Sequence, residues 1–133
     1  MEQSHYKHSN LTRQIIGCAM KVHNHFGCGF PEAIYRKSLL IELAQTGLNF
    51  KSEVEKDIYY QAQWIGKRRL DVLVEQKVLV ELKAVGEIDK TACNQVLNYL
   101  NIFKIEVGLL LDFGADSLQF KRFVYSERNL RNQ

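Results

Sequence analysis

A chain of 133 residues, 46% hydrophobic and 25% charged, is composed like a globular protein with a real core, not like a disordered or fibrous polymer. No apolar run is long enough to cross a membrane, and the polar start Met1-Glu2-Gln3-Ser4-His5 is unlike a secretory signal, so a cytoplasmic protein is expected. The formal charge of +3 admits a polyanionic partner without demanding one, and Cys18, Cys28 and Cys93, with no CxxC pair, read as reduced thiols.

With one proline, no repeat and no low-complexity stretch, residues 1–133 are expected to form one domain, with 1–10 as a loose tail. Leu11 to Phe26 reads as a helix, because Leu11, Ile15, Ala19, Val22 and Phe26 recur at helical spacing. Asn10 would cap it and Gly27-Cys28-Gly29-Phe30 would break it. Pro31 suits the first position of a second helix and Gly47 the residue after its end, with Ile34, Leu39 or Leu40, and Leu43 as the buried stripe.

From Phe50 the pattern becomes β. Val54 to Gln61 reads as a strand and Ile65-Gly66-Lys67 as a turn, followed by strands over Arg69–Val74 and Val78–Ala84. The last two are almost continuously apolar, the mark of strands covered on both faces. Asp89 to Phe103 returns to helix, with Ala92, Val96, Tyr99, Leu100 and Phe103 on one side. Glu106–Phe113 is a further buried strand and Gln119–Tyr125 an edge strand. The order α-α-β-β-β-α-β-β predicts an α/β (α+β) fold, a mixed sheet with helices on both faces.

Three charges interrupt these apolar strands: Asp71, Glu81 and Lys83. Burying charge is expensive unless it is paired or bound to a metal. Parity in the hairpin ties the two carboxylates together. If Glu75-Gln76-Lys77 is a three-residue loop, Val74 pairs with Val78 and Asp71 lies opposite Glu81. A two-residue loop would send the two carboxylates to opposite faces. The plainer account is a structural ion-pair cluster, but cross-strand opposite charges contribute only about 0.2–1 kcal/mol.

Asp71 followed by Glu81-Leu82-Lys83 resembles the PD-(D/E)XK nuclease superfamily. More narrowly, Gly29-Phe30-Pro31-Glu32-Ala33-Ile34-Tyr35 resembles the name motif of the GxxExxY family, and Gln95 with Tyr99 resembles the Q-x-x-x-Y pair of RecB-like nucleases. The likeness runs from about Leu11 to Tyr125, with Leu70 where the superfamily's proline would stand. It implies a restriction-endonuclease-like core and a metal-dependent nuclease, hydrolysing phosphodiester bonds of DNA or RNA, DNA ahead of RNA. The implied metal ligands are Asp71, Glu81 and Glu32, with Mg²⁺ as cofactor and Mn²⁺ as a substitute. Mg²⁺ prefers hard oxygen ligands, and one or two carboxylates with waters and phosphates satisfy it. Lys83 would serve the attacking water, with Gln95 and Tyr99 beside the site.

The bland account of Glu32 is a carboxylate that interacts with the helix dipole, and the family motif favours a metal-ligand role over it. Tyr35 either orients Glu32 or packs. Lys67, Arg68 and Arg69 are candidate phosphate contacts, the alternative being a solvated surface. Lys121, Arg122, Arg128 and Arg131 add further positive charge. His23-Asn24-His25 spells HNH, but consecutive residues on a helix do not converge, and no zinc spacing or phosphate loop is present. The absence of an obvious substrate-binding insertion points to a homodimer or a partner protein. The second function class is a catalytically inactive nucleic-acid-binding or protein-interaction module on the same fold.

Overall fold

The structure, a computed structural model, describes residues 7–125. Two helices come first, α1 (Ser9–Phe26) and α2 (Glu32–Thr46). A three-strand run follows, β1 (Phe50–Tyr60), β2 (Gln63–Val74) and β3 (Val78–Lys83), then α3 (Lys90–Phe103), β4 (Val107–Asp112) and β5 (Gln119–Val124). The strands form one mixed sheet in the order β1-β2-β3-β4-β5, parallel only between β3 and β4. The expected element order and sheet type are therefore observed, and β5 is an edge strand as expected.

Two apolar clusters sandwich the sheet. On one side Ile15, Ala19 and Val22 of α1 and Tyr35, Leu39 and Leu43 of α2 pack with Val72, Val80, Leu82, Leu109 and Leu111. On the other, Ala92, Val96, Tyr99 and Leu100 of α3 pack with Leu70, Leu73, Leu79 and Leu110. Gly108 lets α3 lie close to β4, since a Cβ there would sit 2.8 Å from a Val96 methyl. Leu70, at the superfamily's proline position, is fully buried on the α3 side.

Several local expectations need correction. The first helix starts at Ser9, capped by His8 in a left-handed conformation and not by Asn10, which lies inside the first turn. Residues 1–6 of the expected tail, and Arg128 and Arg131, lie outside the described residues. Pro31 is the N-cap of α2 with extended backbone, one position earlier than expected. Ile34 is 38% exposed, and Tyr35 takes its place in the buried stripe with Leu39 and Leu43. The anchoring of the Tyr35 hydroxyl, described below, sets that rotation of the helix.

The turn between β1 and β2 is Gln61-Ala62, both at positive φ, and Gly66 lies inside β2 opposite Ile58. A register shift beside Ile58 absorbs one extra residue in β2. Glycine inside a strand often marks such a bulge, and Gln-Ala carries none of the usual turn chemistry. The three cysteines are free.

Candidate functional site

The β2–β3 hairpin has the three-residue loop that the parity argument requires: Val74 pairs with Val78, Leu73 with Leu79 and Val72 with Val80. Glu75 and Gln76 both take positive φ, and the Lys77 N–H closes the turn on the Val74 carbonyl at 2.9 Å. Beyond Val72 the backbone ladder stops and the two carboxylates take over. The Asp71 N–H donates to Glu81 Oε2 at 2.8 Å, and the Leu82 N–H donates to Asp71 Oδ2 at 2.8 Å. Each carboxylate thus spends one oxygen on the facing strand and keeps a second.

The sequence alternation is interrupted at the same point. Leu70 and Val72 flank Asp71, yet Leu70 packs with α3 and Val72 with α1 and α2. Strand β1 matches this break. Ser52 pairs with Val72 and Val54 with Leu70, while Glu53, opposite Asp71, is unpaired at φ 55. A non-glycine residue in that region costs about 1–2 kcal/mol. Alternation along β3, with Val80 and Leu82 toward α1 and α2 and Leu79 toward α3, places Glu81 and Lys83 on the α3 side of the sheet.

The electrostatics are those of crowded acid. Burial first, and the Asp71 charge second, push Glu81 up to about 8. Burial also raises Asp71, against the Leu82 N–H and the charges of Arg36, Lys83 and Arg69. Glu32, at the start of α2, is raised by burial and then by Asp71, with Lys83 and Arg36 opposing. The charges of Glu32, Asp71, Glu81, Lys83 and Arg36 are therefore close enough to act on one another. Among the described residues Lys83 makes no salt bridge within 4.0 Å, so a tight ion-pair cluster is not what neutralises the acids.

Hard carboxylate oxygens that hold protons too tightly are chemically suited to a hard divalent cation. Among the described residues no group of three or more His, Cys, Asp or Glu converges closely enough to hold a metal ion. The donor set that fits is the Asp71–Glu81 pair, with Glu32 set to act through its charge or an intervening water.

Tyr35 has a defined place. Its hydroxyl donates to the Gly27 carbonyl at 2.6 Å and accepts from the Phe30 N–H at 3.2 Å, and its ring stacks on Phe113 at 4.6 Å. It locks the loop that leads into α2, and so fixes where Glu32 begins the helix. Gly29, at φ 107, supplies the backbone conformation of that loop. Gln95 Nε2 donates to the Tyr99 hydroxyl at 3.1 Å, and both sit on the α3 side of the sheet. Among the described residues no hydrogen bond joins that pair to the carboxylates.

Lys67, Arg68 and Arg69 are exposed on β2. Lys67 pairs with Glu55 at 3.3 Å, and Arg69 reaches Glu53 at 4.0 Å. His23 is buried and donates to the Ala115 carbonyl at 2.9 Å, whereas His25 is exposed, so the HNH letters form no site.

Two residues were missed by sequence reasoning. Arg36 lies one turn beyond Glu32, acts on both Glu32 and Asp71, and is held by Glu53 at 3.4 Å. The i, i+4 spacing from Glu32 was the available signal. Asp112, fully buried, accepts the N–H groups of Val85 (3.0 Å), Gly86 (3.2 Å) and Gly114 (3.0 Å) through Oδ1. It clasps the segment that leaves Lys83. Its signal was an acid closing the apolar run Val107–Leu111.

A nuclease-type core carrying a half-buried aspartate, a buried glutamate and a lysine on adjacent strands is the class that fold and site define. The chain belongs to the PD-(D/E)XK nuclease superfamily, whose family model matches residues 9–123. Such nucleases typically depend on a metal and act on nucleic acid. No curated protein matches the chain. Among solved structures, "Crystal structure of SSO0001" is similar, with a TM-score of 0.55 and 23% identity. The match covers 77% of this chain and 57% of that one, so this chain spans little more than half of that structure's length. At this identity the likeness concerns the fold alone. No helix among the described residues is long and apolar enough to cross a membrane.

Proposed function

We propose that the protein is a Mg²⁺-dependent nuclease of the GxxExxY type, hydrolysing phosphodiester bonds of nucleic acid, DNA ahead of RNA. The observation that carries this reading is the reciprocal clamp of Asp71 and Glu81, each fixed by the other strand's backbone and each pushed up by burial more than the neighbouring cations offset. A resident structural pair would be neutralised where it stands. This pair leaves one oxygen on each carboxylate for a ligand.

Asp71 and Glu81 would hold the cation, and Glu32 would contribute through water. When bound, Mg²⁺ lowers the pKa of water and offsets charge on the phosphodiester. Lys83, two residues from Glu81 on the same side of β3, holds or deprotonates the attacking water and stabilises the added negative charge. Arg36 steadies Asp71 and Glu32 in their ionised forms. Gln95 and Tyr99 order the edge of the site from α3.

The test is a Mg²⁺ and Mn²⁺ titration by calorimetry on the full chain and on Asp71→Asn, run beside cleavage assays on single- and double-stranded DNA and RNA. Binding by the parent, lost in Asp71→Asn, together with cleavage supports the reading. Absence of both metal binding and cleavage supports the inactive module on the same fold.

A further inference from the structure

The outer halves of β1 and β2 extend beyond the end of β3 as a two-stranded arm whose tip is aromatic. Tyr59, Tyr60 and Trp64 are 62%, 67% and 58% exposed. Tyr59 and Trp64 are cross-strand partners, and the Trp64 indole N–H donates to Asp57 Oδ1 at 3.0 Å. The ring edge is therefore anchored while its face meets solvent. Alternation along β1 puts Tyr60 on the same face as Ile58, whereas Tyr59 and Trp64 lie on the other face with Asp57, so the tip exposes aromatic rings on both faces.

Next to the tip, a groove of about 420 Å³ opens between the arm and α3, lined by Ile58, Gly66, Arg68, Asn98, Asn101 and Ile102. None of its lining side chains is acidic. Asn98, Asn101 and Ile102 share a face of α3 at i, i+3 and i+4. Asn101 Oδ1 already accepts from the Tyr125 hydroxyl at 3.1 Å, which leaves the Asn101 amide hydrogens to donate.

Arg68 is the direct cross-strand partner of Lys56. Like charges placed opposite each other destabilise a sheet. Among the described residues neither has a carboxylate within 4.0 Å. An anion between them would turn that repulsion into attraction.

We infer that this arm and its groove bind an unpaired stretch of nucleic acid. A phosphate lies between Lys56 and Arg68. One base enters the groove against Ile58 and Ile102, with its edge toward Asn98 and Asn101, and a neighbouring base stacks on Tyr60, which shares the Ile58 face. Only unpaired nucleotides offer free base faces and edges together with phosphate, which is why a single strand fits and a duplex does not. Arg68 is three residues from Asp71, about 10 Å along the strand, so a strand held here passes close to the acidic pair. The choice of nucleic acid as partner rests on the nuclease reading, but the binding needs neither metal nor cleavage.

Trp64 is the only tryptophan of the chain, so its fluorescence reports on the tip directly. The experiment titrates the full chain in EDTA with a 12-nucleotide oligothymidylate and with a 12-base-pair duplex, following Trp64 emission and the anisotropy of a labelled strand. The expected result is quenching and tighter binding by the single strand. Tyr60→Ala should weaken it by about five- to a hundredfold, and Arg68→Gln should lower the salt slope by about 0.7.

Equal binding of duplex and single strand, or an Arg68→Gln variant that binds like the parent, overturns the inference. So does light scattering that shows a dimer dissolved by Tyr60→Ala with no oligonucleotide bound, since the tip is then a contact between copies. Cleavage lost with EDTA binding intact refutes the nuclease reading alone. Binding lost with cleavage intact refutes the arm alone.

Discussion

Replacing Glu81 by glutamine should stabilise the metal-free protein at neutral pH and leave it unchanged below about pH 4. In the folded protein the group is pushed up to about 8, by burial first and Asp71 second, whereas an unfolded glutamate titrates near 4.3. A raised folded pKa contributes stability below the unfolded value and loses it as pH rises through the folded one. Between pH 5.5 and 7.5 one proton is at stake over two pH units, a ceiling of about 2.7 kcal/mol at 1.36 kcal/mol per unit.

Sharing of that proton with Asp71 reduces the difference to roughly 1–2 kcal/mol, a Tm change of about 3–10 °C for a chain of this size. Glutamine keeps the acceptor for the Asp71 N–H, so the clamp survives while the charge goes. The assay is thermal melting of both proteins from about pH 4 to pH 8.5, without metal and with saturating Mg²⁺. Metal-free curves should coincide at about pH 4 and diverge steadily from about pH 4.5 to pH 8, the variant melting higher. Mg²⁺ at a hundred times its Kd should restore the parent by about 2.7 kcal/mol and do nothing for the variant. Parallel pH profiles with no Mg²⁺ response in the parent would refute the metal-site reasoning.

Lys83→Ala should fold normally, keep or tighten metal binding because a nearby positive charge has gone, and lose about 10²–10⁴-fold in cleavage rate. A variant that cuts at the parental rate would remove Lys83 from the chemistry. Tyr35→Phe deletes the hydroxyl between the Gly27 carbonyl and the Phe30 N–H and should cost about 1–3 kcal/mol in chemical denaturation. It should also lower cleavage by loosening the start of α2, and an unchanged stability would show that the loop is held by other contacts. Gly114→Ala would place a Cβ 2.4 Å from the Gly86 nitrogen, so a loss of several kcal/mol or of soluble protein is expected. A parental Tm in this variant would mean that the Asp112 clasp yields easily.

Much of the fold was legible because its signals are local. Apolar residues at helical spacing mark α1 and α3, and Pro31 and Gly47 bracket α2 at its two ends. Apolar runs mark β3 and β4, broken in β3 only by Glu81 before its closing Lys83, and both strands are buried throughout their interiors. The pairing of Val74 with Val78 followed from parity alone, because a strand's two faces alternate and only one loop length sets Asp71 opposite Glu81.

Only tertiary contacts decided the rest. Gly66 could be a turn or a bulge from its own chemistry, and the pairing of Ile58 made it a bulge. Ile34 and Tyr35 are one helical step apart, and the reach of a hydroxyl to the Gly27 carbonyl chose which of them the core receives. The break at Glu53 and Asp71 has no sequence signature, since it arises where two strands change faces together. Likewise Arg36, Glu53 and Asp112 act across 17 or more residues of chain, on partners that a local pattern cannot name. Residue type and spacing determined which groups this chain could bring to a site. Their protonation, their partners and the shape around them came from packing, because desolvation and hydrogen-bond geometry exist only once distant segments meet.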